Sequence, residues 1–171
     1  MKRKICFLLI ACVLWLCGCS NGGNGPVSTQ PIKSVVEYDR MFRITCLSNQ
    51  YIYDSKQMEK ESPLHFTLQL EYIGEEPSVT IWRNEAIGGI EMMHANGESV
   101  LPLVIGDTLG STELKKGEVY TITVWTGESE YDYLGGFSPG DYIAAAHVSF
   151  SLDYDLEKDV LCFIDLPFVI V

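Results

Sequence analysis

Hydrophobic and polar residues alternate along most of this chain with a period of two, the spacing of a strand that has one face on a core and one in water. The run Leu64, Phe66, Leu68, Leu70 and Tyr72 alternates with His65, Thr67, Gln69 and Glu71. A longer run sets Tyr142, Ala144, Ala146, Val148, Phe150 and Leu152 against Ala145, His147, Ser149, Ser151 and Asp153. Shorter stretches predict a first strand around Met41 to Leu47, with Phe42, Ile44 and Cys46 on one face. Others are predicted at Val79 to Arg83 and from Val160 to about Ile164 or beyond, with Val160, Cys162 and Ile164 inward. The stretch Glu118 to Thr126 is apolar on both sides, through Tyr120, Ile122 and Val124 on one and Val119 and Trp125 on the other, which predicts a central strand.

Turn chemistry separates these runs. Ile90 to Met93 and Ser99 to Leu101 flank His94-Ala95-Asn96-Gly97-Glu98, and Asn-Gly between apolar runs predicts a hairpin with Gly97 at positive φ. Glu113 to Gly117 reads as a second turn, Phe137-Ser138-Pro139-Gly140 as a third, and Asp54 to Ser62 as a surface loop. About seven or eight short strands with no helical periodicity point to one all-β domain, an antiparallel β-sandwich over residues 32–171.

The amino end has a different pattern. Lys2, Arg3 and Lys4 precede an uncharged apolar run from Ile5 to Leu16, the layout of a secretory signal. That run is too short for a membrane-crossing helix, which needs about 20 apolar residues. The string Leu16-Cys17-Gly18-Cys19 that follows resembles the lipobox of bacterial lipoprotein signals. The resemblance implies that Leu16 and Gly18 are read by the processing machinery. It also implies that residues 1–18 are removed and that Cys19 carries a covalent diacylglycerol with an N-acyl chain. Residues 19–31, rich in Gly, Asn, Ser and Pro, then form a tether spanning about 20 Å as a flexible coil and about 40 Å when stretched. The expected location is the extracytoplasmic face of a bacterial membrane, with the lipid as the contact to the bilayer.

Charge narrows the partners. The chain has 12 basic and 23 acidic residues; loss of Lys2, Arg3 and Lys4 leaves 9 against 23, a net −14. Such a field repels phosphate backbones, so nucleic acid is not an expected partner, and attracts cationic ones. The acidic, tyrosine-bearing segment Glu128-Ser129-Glu130-Tyr131-Asp132-Tyr133-Leu134 is the candidate loop for a protein partner, because loops at the end of a sandwich carry recognition and Tyr supplies rigid amphipathic area.

The chemistry is sparse. Three histidines, His65, His94 and His147, are not spaced as metal pairs, and no nucleophile-elbow, His-Glu-x-x-His or phosphate-loop string occurs. His147 with Ser149 and Ser151 shares the polar phase of one strand, as expected of a solvated face. Asp153, Asp155, Glu157 and Asp159 have half the spacing of a calcium loop but lack the Gly and the closing acid, Ile164 standing where the latter belongs, which favours a charged hairpin turn. No catalytic residue, metal or cofactor other than the lipid is expected. Of six cysteines, Cys46 and Cys162 alone fall in the domain. Export permits a disulfide between them, and their apolar strand phases equally suit two buried thiols.

The succession "HANGESV", "LKKGEVYTITVW" and "GGFSPGDYIAAAHV" is similar to the bacterial intracellular proteinase inhibitor (BsuPI) family. The likeness runs from about Leu64 to Val148. It implies an immunoglobulin-like sandwich and, as a second function, protease inhibition. The lipobox and the segment from Asp153 to Val171 lie outside the family's pattern.

Overall fold

The computed structural model describes residues 30–56, 64–83, 86–101, 108–125 and 137–171. Among them the chain is all-β, two antiparallel sheets in an open sandwich. The strands are β1 (Ile32–Tyr38), β2 (Phe42–Ser48), β3 (Ile52–Tyr53), β4 (Phe66–Tyr72), β5 (Ser78–Arg83) and β6 (Gly88–His94), followed by β7 (Ser99–Leu101), β8 (Gly110–Lys115), β9 (Val119–Trp125), β10 (Gly140–Ser151) and β11 (Asp159–Ile170). One sheet has the order β1-β2-β4-β9; the other runs β3-β11-β10-β5-β8, with β6 on β10 and β7 on β6.

The alternating runs form the facing layers. Phe42, Ile44 and Cys46 of β2 and Phe66, Leu68, Leu70 and Tyr72 of β4 are buried. They meet Tyr142, Ala144, Ala146, Val148 and Phe150 of β10 and the even-numbered residues Val160 to Ile170 of β11. On the outer side of the first sheet Arg43 stands between Glu37 and Glu71, which are its register partners. The guanidinium donates to both carboxylates at 2.9 and 2.8 Å. This row is broken by any slip of β1 or β4, so it reinforces the register that the inward phase already demands.

Among the described residues, eleven strands replace the expected seven or eight. Three were hidden for physical reasons. In β1 the inner phase is Ile32, Ser34, Val36 and Tyr38, half-buried and interrupted by a serine. β3 is two residues long. β8 contains Glu113, Leu114 and Lys115, read from sequence as part of a turn; they pair instead with Thr80, Val79 and Ser78 of β5. The turn is confined to the residues around Gly117, whose φ is +78°. It carries the chain from one sheet to the other, since β8 pairs with β5 and β9 with β4.

β9 is also not central; among the described residues it is an edge of its sheet. Its double-sided apolar pattern has a local cause. The register against β4 shifts between Leu68 and Gln69, so that Thr123 and Thr121 are the partners and Ile122 is an extra residue, a β-bulge. The bulge switches the phase of the strand, so that Tyr120 stands opposite buried Leu70 and Thr123 opposite buried Leu68.

The Asn-Gly hairpin forms as expected. Gly97 has φ +87°, and His94 accepts from the Gly97 N–H at 2.9 Å and donates to the Glu98 carbonyl at 2.9 Å. Along β10 the partner changes: β6 occupies Tyr142 to Val148, and β5 meets the strand only at Ser151.

Candidate functional site

Cross-strand pairing builds one pole of the sandwich. Ile32 pairs with Ser48, Ser48 with Phe66 and Phe66 with Trp125, a row across the first sheet. The first residue of β1 and the last residue of β9 therefore lie at the same end of the domain. In the other sheet that end carries Gly140 opposite Ile170 and Tyr142 opposite His94.

Aromatic rings fill the pole between the sheets. Phe168 contacts Phe66 (centroids 5.0 Å apart), Tyr142 (5.5 Å) and Tyr53 (5.7 Å). Phe137 sits edge-on to Tyr142 at 5.7 Å, and the Tyr142 hydroxyl donates to the Ser138 carbonyl at 2.7 Å. That bond ties the Phe137 to Gly140 turn to the strand it opens. Tyr53, also buried, shares its hydroxyl with Ser48 and donates to Asn49 Oδ1 at 2.8 Å; burial raises its pKa. These polar tips on apolar rings satisfy both phenols of this pole within the protein. Sequence reasoning missed Tyr53, Ser48 and Asn49; the string Tyr51-Ile52-Tyr53 was the available signal, too short to show a period.

The candidate partner residues Glu128, Glu130, Tyr131, Asp132 and Tyr133 lie outside the described residues, as do Leu16, Gly18 and Cys19. Both flanks of the candidate loop are described: Trp125 ends β9 and Phe137 anchors the following turn. They stand at the aromatic pole, together with the His94 to Glu98 hairpin, where Ala95 donates to the Asp141 carbonyl at 3.0 Å.

Cys46 and Cys162 are buried thiols in opposing sheets and are not bridged to each other. Burial pushes the Cys46 thiol up to about 12, far from the thiolate range that nucleophilic chemistry requires. Treatment of the native protein with iodoacetamide near neutral pH should therefore leave Cys46 unmodified, and the same treatment in denaturant should label it. Peptide mass mapping checks this; rapid native labelling of Cys46 would show that β2 opens readily.

His147, Ser149 and Ser151 do not converge. The imidazole is edge-on to Phe163 at 6.1 Å, and burial lowers its pKa while Glu91 opposes the change. Ser151 is buried and its hydroxyl donates to Asp153 Oδ1 at 3.2 Å. The same carboxylate oxygen accepts from the Glu157 N–H at 2.9 Å and the Lys158 N–H at 3.4 Å. Burial works against the charged form of Asp153, yet these hydrogen bonds and Lys158 hold its pKa below the usual carboxylate range. Asp153 is thus the clasp of the β10–β11 turn, in which Leu156 has φ +57°. Among the described residues no group of three or more His, Cys, Asp and Glu is placed to hold a metal ion.

Near the opposite pole, where β5 and β6 part along β10, a shallow recess of about 180 Å³ is lined by Trp82, Arg83, Ser149, Leu156 and Asp159. Tyr154 stands edge-on to Trp82 beside it. Ser151 also lines the recess, and its hydroxyl is engaged by Asp153, the carboxylate that clasps the turn.

The chain matches no protein-family model and no curated protein.

Proposed function

We propose that the protein is a non-catalytic, lipid-anchored binding module, held at the extracytoplasmic face of a bacterial membrane by Cys19 and meeting a protein partner through its β-sandwich. The observation that carries this reading is the string Leu16-Cys17-Gly18-Cys19, preceded by Lys2, Arg3, Lys4 and an apolar run that stops short of a membrane span. The extent of the domain agrees with it, since β1 begins at Ile32, directly after the Gly- and Pro-rich tether. Two acyl chains give stable attachment because each buried methylene contributes about 0.8 kcal/mol. The groups that sequence offered for chemistry have structural partners: two buried thiols, a histidine ring beside Phe163 and a carboxylate engaged in a turn.

Cys19→Ala should move the protein from the membrane fraction to an unlabelled, unprocessed or released form. Metabolic labelling with an alkyne fatty acid, followed by membrane fractionation, checks this. A Cys19→Ala protein that still incorporates lipid and sediments with membranes would overturn the anchor.

The likeness of residues 64–148 to the proteinase inhibitor family favours a second reading, an exported protease inhibitor. Titration of the full chain against secreted proteases separates the two: inhibition at micromolar protein supports the second, and its absence the first.

A further inference from the structure

Among the described residues, one edge of the larger sheet is left open beyond β3. β11 is twelve residues long and pairs with β10 along its whole length. On its other side, among the described residues, β3 pairs with it in parallel, at Val169 and Ile170 alone. The N–H groups of Val169 and Val171 point to that side, donating to the carbonyls of Tyr51 and Tyr53 at 3.0 and 2.9 Å. Alternate residues of an extended strand direct their backbone groups the same way. Leu161, Phe163 and Asp165 therefore aim N–H and C=O outward along the edge beyond β3. Pro167, which has no N–H to lose, stands where a sheet edge tolerates it. β1 lies beside β11 in the facing layer without pairing to it.

The side chains along this edge are unusual for an edge strand. Leu161 is 54% exposed and Phe163 61%, between exposed Asp159 and Asp165. Edge strands are normally blunted by charge or shortness; here two large apolar residues are offered to solvent beside backbone groups that no other described strand pairs.

We propose that the β11 edge is a strand-addition site. It takes an extended segment of a partner polypeptide bearing two apolar residues at alternate positions, bracketed by two basic ones. The backbone row supplies affinity, and the alternating side chains supply selection. Apolar residues cover Leu161 and Phe163, and the basic residues sit opposite Asp159 and Asp165, an arrangement that reads the same in parallel or antiparallel orientation. The added strand lies in line with β3, extending a pairing the fold already makes. A second copy is the poorer occupant, because each chain carries a net −11 and pairing centred on Cys162 would put Asp159 against Asp165. The inference rests on the binding-module reading and assigns that module its contact edge.

The test uses the full chain in detergent and a fluorescein-labelled peptide Lys-Thr-Phe-Thr-Val-Thr-Lys. Expected are a saturable rise in anisotropy and slowed hydrogen exchange at the amides of Leu161, Phe163 and Asp165. Binding should fall by about tenfold or more when alternate peptide amides are methylated, when both lysines become glutamates, or in Phe163→Lys protein. The melting temperature of that variant should be unchanged because the ring is exposed. Equal binding of the methylated peptide, absence of binding, or binding without protection of those amides would overturn the proposal. So would protection that grows with protein concentration alone, which would identify a second copy as the occupant. If the full chain crosslinks to a membrane protein in intact cells and Phe163→Lys leaves the crosslink unchanged, the binding module stands and this edge is not its contact. If neither peptide nor crosslinked partner is found, both readings fall.

Discussion

Phe168→Ala destabilises the domain by about 3–5 kcal/mol, the cost of removing a fully buried aromatic ring together with the cavity it leaves. Phe168 is 1% exposed, and its ring joins the two sheets, touching Phe66 of the facing sheet and, within its own sheet, Tyr53 and Tyr142. The cavity cannot collapse easily, because Tyr53 and Tyr142 are held by their hydroxyls to Asn49 and Ser138. With total stabilities of about 5–15 kcal/mol usual for domains, this one change consumes a large part of the whole. Urea unfolding followed by tryptophan fluorescence is the measurement. Phe168→Leu should recover most of the loss. A cost for Phe168→Ala below about 1 kcal/mol would mean that the ring does not bridge the layers.

Gly88→Ala has the second largest effect and acts through the backbone. A methyl group at Gly88 would lie 2.1 Å from the His147 carbonyl oxygen and 3.0 Å from Val148 Cα. Neither atom can swing aside, since both belong to β10, the strand shared by β6 and β11. Gly88 is where the chain crosses onto β10 after β5, with the Ser149 N–H donating to the Ile87 carbonyl at 2.7 Å. Overpacking of this kind costs about 3 kcal/mol or more when the obstacle is backbone. Gly110→Ala is the matched control, because the nearest atom there is the tip of Arg83 at 3.7 Å. Thermal unfolding of the two variants should separate them by many degrees, and equal melting temperatures would contradict the close approach of β6 to β10.

The strands that alternate strictly were legible from sequence: β2, β4, β10 and β11 all keep their apolar phase on the core. Legibility failed where the cause was not local. Leu114 is buried in a strand whose partner β5 lies more than thirty residues earlier, so its turn-like neighbours Lys115, Lys116 and Gly117 dominated the local pattern. In β9 a bulge broke the period, and two apolar faces then imitated a central strand. The aromatic pole was legible only in part. The Asn-Gly hairpin and the Pro-Gly turn announce themselves through turn chemistry, whereas the meeting of Tyr53, Phe66 and Phe168 depends on pairings between distant segments. The open edge of β11 was invisible for the same reason, since an edge is defined by which strands are missing beside it.

The row Ile32, Ser48, Phe66 and Trp125 has a bearing on which way the molecule faces. If Cys19 is lipidated as proposed, the sandwich hangs from the pole where Ile32 begins β1, the pole that also carries Trp125 and Phe137. The β10–β11 turn, with Tyr154 63% exposed, lies at the other end of the domain and would then be the outermost landmark. On the proposed anchoring, an antibody raised against that turn should reach it on intact, wall-stripped cells, and one against the opposite cap should be shielded until the protein is released from the membrane.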